Sequence, residues 1–442
     1  MKIKNLVCGG ILITLSTTQA MAGGYITNTN QSINFLRNPA REASIGIDGV
    51  YYNPAGAAFL PGGFHLQFNW QHVKQQRNAL ASYGDLFKYN FGNPSSDGYR
   101  KFKGDVNVPI QPSLYFAYNR DKWSFQAGLG VIGGGGSCEF NDGVASFEAL
   151  VGNMGMTTLG QAFGGYALDS YVKGRSYSFG LTLTAARKIS DKLSVSVGIR
   201  NVYATNNYVG HLQGIKFRNA LSGDIIDVPT SYSLDCDQRG FGIAPIIGID
   251  YKPNRYVNFA AKYEFKTRLR LKNSADNSES LNQLAQTQPA FRGYLDGVTT
   301  ANDIPGLLTV GAQISPTDRL RLDFGYHHYF DVDTKQWMDD NVGDTDELTA
   351  GVEYDITRRV EVSCGYQKTM YNQTADNLSD MGFCLNSYSF GFGVGVKVSQ
   401  NVKLNVAYFQ TNYDDYTKNT AVSSTTYSRK NNVIGLGIDV SF

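Results

Sequence analysis

Five basic residues at strand-compatible spacing are the first candidates for chemistry in this 442-residue chain. Lys262, Lys266, Arg268 and Arg270 share one side of an extended segment, because side chains two apart lie on one face of a strand. Arg200 falls on the polar side of another such segment. Cations on an enclosed face can pair with an anionic head group, since a buried charge without a partner is costly. Lys262, Lys266 and Arg200 are therefore candidate carboxylate partners. Glu264 lies in the same row, so internal ion pairs would satisfy these residues equally well. Other chemistry finds little support. His65, His72, His211, His327 and His328 form no ligand-spaced cluster, and His327 and His328 point to opposite faces. There is no Gly-x-Ser-x-Gly elbow, and Gly133–Gly136 is not followed by the Lys-Ser/Thr of a phosphate loop. No enzyme, cofactor or metal centre is expected. Asp331, Asp333, Asp339, Asp340, Asp344, Asp346 and Glu347 crowd one connection (331–347), which reads as a solvated acidic loop or a hard-cation site.

The elements that must carry these residues are strands. At the C-terminus Ile434, Leu436, Ile438, Val440 and Phe442 alternate with Gly435, Gly437, Asp439 and Ser441, a period of two running to the last residue. Such a terminal strand leaves an exposed edge unless its sheet closes on itself. Fourteen segments read as strands, at about 64–76, 107–119, 122–133, 174–187, 191–208, 237–251, 255–272, 303–315, 318–331, 344–356, 359–371, 385–398, 401–414 and 430–442. Short turns such as Lys252-Pro253-Asn254 and Pro316-Thr317 alternate with long segments at 77–106, 134–173, 209–236, 273–302, 332–343, 372–384 and 415–429. That alternation belongs to an outer-membrane barrel with short periplasmic turns and larger outside loops. Composition agrees: 48 Gly, 28 Tyr and 25 Phe, with aromatics such as Trp123, Tyr251, Tyr256 and Tyr354 near the short turns as an interfacial girdle. The fold class expected is all-β, a 14-stranded antiparallel transmembrane barrel. No later segment approaches the roughly 18 apolar residues of a spanning helix.

Lys2 and Lys4, the apolar run Leu6–Leu15 and Ala20-Met21-Ala22 form the three regions of an export signal, so 1–22 is expected to be removed. Without Lys2 and Lys4 the basic and acidic residues balance, which gives no reason to expect nucleic acid as a partner. Residues 23–63 do not alternate and carry Asn38-Pro39 and Asn53-Pro54-Ala55-Gly56 as turn signals. Stretches such as Ala43–Ile47 are too apolar for a floating tail, so this segment reads as a plug inside the lumen, with a periplasmic extension as the alternative. Residues 64–442 form the barrel.

Tyr51-Tyr52-Asn53-Pro54-Ala55-Gly56, just before the first strand, resembles the Asn-Pro-Ala hatch motif of the FadL/TodX long-chain fatty-acid and hydrocarbon channels of Gram-negative outer membranes. Gly240-Phe241-Gly242, Gly248–Tyr256 and the strand pair Leu307–Phe330 add to the likeness, which spans the mature chain in architecture. The resemblance implies a monomeric plugged barrel in the cell outer membrane, surrounded by outer-membrane lipid. It also implies an apolar groove among the outside loops, an inner pocket and lateral release through a kink in the third strand. Here that strand runs from Phe125 into Gly133, Gly134, Gly135 and Gly136, which hold a regular ladder poorly. The glycines read either as the kink or as the start of a flexible loop. Asn53 is expected beside them, bonding ladder groups left unpaired at the kink.

Two segments are apolar enough to capture a hydrophobic small-molecule ligand or to pack into the barrel mouth. One contains Phe147, Leu150, Met154 and Phe163; the other contains Phe291 and Tyr294 around a short helix. The first lies one hairpin earlier than the groove that the resemblance implies. Cys138 and Cys236 are placed in outside loops, where a disulfide is allowed. Cys364 is placed in a lipid-facing row. The expected function is passive uptake of hydrophobic molecules such as long-chain fatty acids. An assembly partner in protein secretion or surface anchoring is the alternative, and the plug opposes a general diffusion porin.

Overall fold

The computed structural model describes residues 27–336, 343–372 and 378–442. The expected signal segment and residues 23–26 of the expected plug lie outside the described residues, as do Asp339 and Asp340. Fourteen antiparallel wall strands are found among the described residues. They are β1 (Gly63–Ser82), β2 (Tyr99–Arg120), β3 (Trp123–Phe140), β4 (Phe163–Lys188), β5 (Leu193–Asn219) and β6 (Tyr232–Tyr251). Next come β7 (Val257–Glu264, continued by Arg270–Ala275), β8 (Gly306–Thr317), β9 (Leu320–Phe330) and β10 (Thr345–Asp355). The last four are β11 (Val360–Tyr371), β12 (Ser387–Lys397), β13 (Val402–Tyr413) and β14 (Ser424–Ser441). Each pairs with its neighbours in sequence, and β14 closes the barrel on β1, with Trp70 opposite Leu436 and His65 opposite Ser441.

The sidedness is that of a membrane wall. On β1, Phe64 and Phe68 are about half exposed, whereas His65, Gln67, Asn69 and Gln71 are buried. The same inversion holds along β5, where Val197 and Ile199 are exposed and Ser194, Ser196 and Arg200 are buried. Apolar side chains outside and polar ones inside describe a barrel whose outer solvent is hydrocarbon. Trp123, Tyr251, Tyr256 and Tyr354 ring the short-turn end, and Tyr203, Tyr326, Tyr366 and Tyr388 stand outward toward the other end.

Several strands are longer than their alternation indicates. β4 begins at Phe163 rather than 174, β5 ends at Asn219 rather than 208, and β2 begins at Tyr99 rather than 107. These extensions rise beyond the lipid belt, where the pattern inverts: Lys101, Lys103 and Asp105 face outward while Phe102 and Val106 turn inward. β3 does not stop at its glycines; it continues through them to Phe140. Helix α1 (Ile33–Arg37) and α2 (Gly49–Tyr52) lie inside the barrel. On the outside, α3 (Ala145–Leu159) follows β3, and α4 (Glu279–Thr287) and α5 (Pro289–Arg292) follow β7.

Candidate functional site

Between β2 and β3 the ladder opens. Val106 pairs with Cys138 and Ser113 pairs with Gly130, but residues 107–112 of β2 and 131–137 of β3 do not pair with each other. At strand rise this leaves a slot roughly 20 Å tall in the wall. β3 keeps its contact with β4 across the same stretch only through two register shifts, at Val131/Gly133 and at Gly134/Gly136. The glycines make this possible: Gly134 (φ +66°) and Gly135 (φ +113°) occupy the left-handed region. A Cβ on Gly134 would lie 2.4 Å from the Ser176 carbonyl oxygen. On the opposite lip Pro109 and Pro112 have no N–H to offer a neighbour, so that edge leaves fewer donors unmet.

The β3 lip is satisfied from inside, by a different residue from the one expected. The Asn28 backbone N–H donates to the Ile132 carbonyl (2.8 Å), and its side-chain amide donates to the Val131 (3.1 Å) and Gly134 (2.8 Å) carbonyls. Gln31 Nε2 adds a bond to Val131 (2.7 Å). Asn53 sits instead at the short-turn end of the lumen. Its amide donates to Asp250 Oδ2 (2.5 Å), and its Oδ1 accepts from the Gly56 N–H (2.9 Å). Gln126 on β3 holds the Pro54 carbonyl (2.8 Å), and Ser194 on β5 holds the Ala55 carbonyl (2.5 Å). The motif is thus a clamp between the plug and four strands, since Asn258 on β7 also reaches Asp250 (3.0 Å) and the Ala43 carbonyl (2.7 Å). Gly56 is required there, because a Cβ would meet Asn53 Nδ2 at 2.2 Å.

Below the slot the lumen is charged. Arg41 pairs with Asp48 and Glu353 (both 2.8 Å), Arg37 with Glu361 (2.5 Å), and Arg321 with Glu353, Asp355 and Glu361. Lys403 also reaches Glu361, and Arg37, Arg41, Arg321, Glu353, Glu361 and Lys403 border a polar cavity of about 290 Å³. Glu42 of the plug bonds His327 (2.5 Å), which bonds Glu347 on its other nitrogen (2.8 Å). Above this layer runs a continuous apolar cluster. It takes in Phe147, Leu281, Phe291 and Tyr294, then Leu212, Leu234, Tyr208 and Val172, reaches Val106, Val108 and Ile132 on the two lips of the slot, and continues onto the apolar side of the plug at Ile33, Phe35 and Val50. At its upper end Phe147 of α3 faces Leu281, Leu284 and Phe291 of α4 and α5 across an apolar groove floored by Leu212 and Leu234.

No protein-family model matches the chain, and no curated protein matches it. Solved structures do. A Pseudomonas aeruginosa FadL homologue superposes with a TM-score of 0.65 at 14% identity, over 95% of this chain and 100% of that one. The Pseudomonas putida toluene transporter TodX gives 0.57 at 14% identity (96% and 99%), and the Ralstonia pickettii toluene transporter TbuX gives 0.54 at 16% (92% and 98%). The chain has the FadL-type fold.

Within this FadL-type barrel the candidate residues divide. Phe147, Leu150, Phe291 and Tyr294 pack in or against the luminal cluster, and Tyr294 stacks edge-on with Tyr208 at 5.2 Å. Met154 and Phe163 pack instead against a second cluster with Leu86, Val151 and Phe217. Arg200 and Lys262 do lie in the lumen, but both bond Glu264 at 2.5 Å, so the internal ion-pair reading holds for them. Lys266 does not join them. The ladder of β7 lapses between Glu264 and Arg270, which shifts the alternation by one; Thr267, Leu269 and Leu271 turn inward and Arg268 and Arg270 outward. Lys266 donates to the Asp333 carbonyl (2.5 Å) near the outside surface. Cys138 and Cys236 lie in strands with buried, unbridged thiols, not in loops, and Cys364 is exposed on the outer face.

The sequence reading missed Asn28, Gln31 and the two prolines. Pro109 and Pro112 were visible signals, since proline inside a strand marks an edge or an irregularity. Asn28 has no local signature; its role depends on a contact more than a hundred residues away.

Proposed function

We propose that this barrel is an outer-membrane channel that takes up hydrophobic small molecules, long-chain fatty acids among them, and releases them sideways into the bilayer. The observation that carries this reading is the contrast between two ways out of the lumen. The apolar cluster leads without interruption from the groove at α3–α5 to the slot between β2 and β3. The continuation toward the short turns is filled by the plug and its buried ion pairs. A greasy solute gains by staying on apolar surface, at about 25 cal/mol per Å², and would have to disrupt paired charges to go straight through. Exposed Ile110 and Leu129 beside the slot support this reading, since they offer an apolar outer surface next to the opening. The toluene transporters of the same fold act on greasy solutes, as their names state, which supports the substrate class.

Native mass spectrometry of the detergent-solubilised protein tests the reading. Retained fatty acid or other apolar ligand, displaced by added hexadecanoate, is expected. A consistently empty barrel that binds no apolar probe, or one that copurifies with a stoichiometric secreted protein instead, would contradict it.

A further inference from the structure

On its outer face the barrel carries a group of cations that the luminal route does not use. The lapse in the β7 ladder after Glu264 turns Arg268, Arg270 and Lys272 outward, two residues apart on one face and all exposed. Arg239 of β6 is exposed as well, and the ladder sets it directly opposite Lys272. Like charges facing each other across an antiparallel pair repel, so this rung is destabilising when nothing lies over it. Two carboxylates come within ion-pair reach of the group. Asp303 bonds Arg270, whereas Asp237 approaches Arg239 only to 3.9 Å while accepting from the Asn207 amide (3.0 Å). Among the described residues, Arg268 and Lys272 have no ion pair. The next acids on these two strands, Asp235 and Asp276, each lie four residues farther out, roughly 13 Å along the strand.

The height of these cations on the wall is that of a bilayer surface. Two residues below Arg239 on the same face comes Phe241, exposed and paired with Tyr203, one of the outward tyrosines of this end. Ile243, Ile247 and Ile249 continue the exposed apolar column toward the short turns. β7 lies close against it: a Cβ on Gly242 would meet the Arg268 carbonyl oxygen at 2.8 Å, and Phe265, three residues before Arg268, is exposed. The cations thus stand where hydrocarbon gives way to head groups, about 7 Å above the last apolar side chain. The far wall differs. Two residues above Tyr326, His328 shares the Asp346 carboxylate with the Tyr326 hydroxyl, and Lys368 is paired with Asp414 (3.6 Å). Charge there is balanced within the protein; on β6 and β7 it is not.

We propose that Arg239, Arg268 and Lys272 bind the phosphate groups of a lipid in the outer leaflet. The acyl chains lie along Phe241, Ile243 and Phe265, and the phosphate relieves the repulsion between Arg239 and Lys272. A guanidinium grips a phosphate through two parallel hydrogen bonds, and a lysine adds a mobile point charge. Arg270 stays with Asp303 and contributes only its field. A lipid is favoured over a free anion because the cations adjoin an exposed apolar column rather than a pocket that could enclose an anion alone. Such a lipid fixes the height of the barrel in the membrane, and the site is independent of what the channel carries.

The probe is lipid A, a glycolipid bearing phosphates, added to the full-length protein in detergent micelles and counted by native mass spectrometry. Wild type is expected to retain it. Arg239→Gln combined with Lys272→Gln should weaken binding by about tenfold or more, the worth of a charge-assisted hydrogen bond. The control removes two exposed cations elsewhere on the wall, Lys74→Gln with Lys430→Gln, and should bind like wild type. Dephosphorylated lipid A should bind wild type no better than lipid A binds the β6–β7 variant. Equal binding of lipid A by wild type and that variant would overturn the site, as would an equal loss in the control or equal binding of the dephosphorylated lipid. Displacement of the lipid by an equal concentration of inorganic phosphate would mark a free-anion site and overturn the lipid assignment. If the double variant fails to assemble, Arg268→Gln and the comparison of the two lipids on wild type still decide the matter.

Discussion

Gly134→Val is expected to close the slot between β2 and β3, the proposed side exit, while leaving the barrel assembled. Gly134 holds φ at +66°, where a side chain costs about 1–2 kcal/mol, and more when it is β-branched. Its Cβ would also fall 2.4 Å from the Ser176 carbonyl oxygen, a fixed backbone atom of β4. The valine therefore drives this residue into the extended region and β3 towards a straight course. A straight β3 can regain ladder bonds to β2, each worth about 0.5–1.5 kcal/mol net. Pro109 and Pro112 withhold two donors, so the gain is limited. A combined swing of about 2–3 kcal/mol changes the ratio of open to straight wall by roughly 30- to 150-fold. The assay is the initial rate of radiolabelled hexadecanoate uptake by intact cells, normalised to surface protein, where at least a tenfold fall is expected. Gly84→Ala is the control. It carries the same backbone strain (φ +59°) with nothing within 4 Å of the added Cβ, outside the slot. A folded Gly134→Val protein with wild-type uptake would refute the reasoning, as would an equal loss in Gly84→Ala.

Other outcomes follow from the polar interior. Arg200→Met breaks the buried Arg200–Glu264–Lys262 group and should cost about 3–5 kcal/mol in denaturant unfolding, without altering discrimination between a fatty acid and its alcohol. A selective loss of fatty-acid binding would return Arg200 to a ligand role. Asp250→Ala removes the acceptor of both Asn53 and Asn258, at about 1–3 kcal/mol for each amide stranded. Hydrogen exchange should quicken across 49–60 while the wall strands keep their protection, and unchanged exchange there would mean that the clamp is not held by Asp250. Asn28→Ala removes the Asn28 amide from the Gly134 carbonyl and leaves the Val131 carbonyl to Gln31, and should quicken exchange in 28–36 in the same assay.

The wall was legible in the sequence because lipid imposes the alternation: wherever hydrocarbon touches the outer face, as at Phe64, Phe68, Val197 and Leu436, the period of two is clean. Above the lipid the sides exchange character, with Lys101, Lys103 and Asp105 facing water and Phe102 and Val106 turned inward, so β2, β4 and β5 read short. Strand periodicity also assumes an unbroken ladder. The lapse after Glu264 flips the faces of β7, and Lys266 and Arg270 were assigned to the lumen for that reason. The glycines of β3 announced an irregularity but not its form, because a kinked strand and a loop start share the same composition. The contacts that hold the plug, Asn28 with β3 and Asn53 with Asp250, join residues remote in sequence, and only the folded barrel brings them together.

Site-specific photo-crosslinking along the lumen tests the central claim of lateral release most directly. A benzophenone amino acid placed at Ile110 or Val108, on the β2 lip, should form adducts with hexadecanoate during uptake by intact cells. The same probe at Lys403, in the charged layer beside the plug, should form none. Adducts at Lys403 without adducts at the lip would show the cargo passing through the plug toward the periplasm, and would contradict the account.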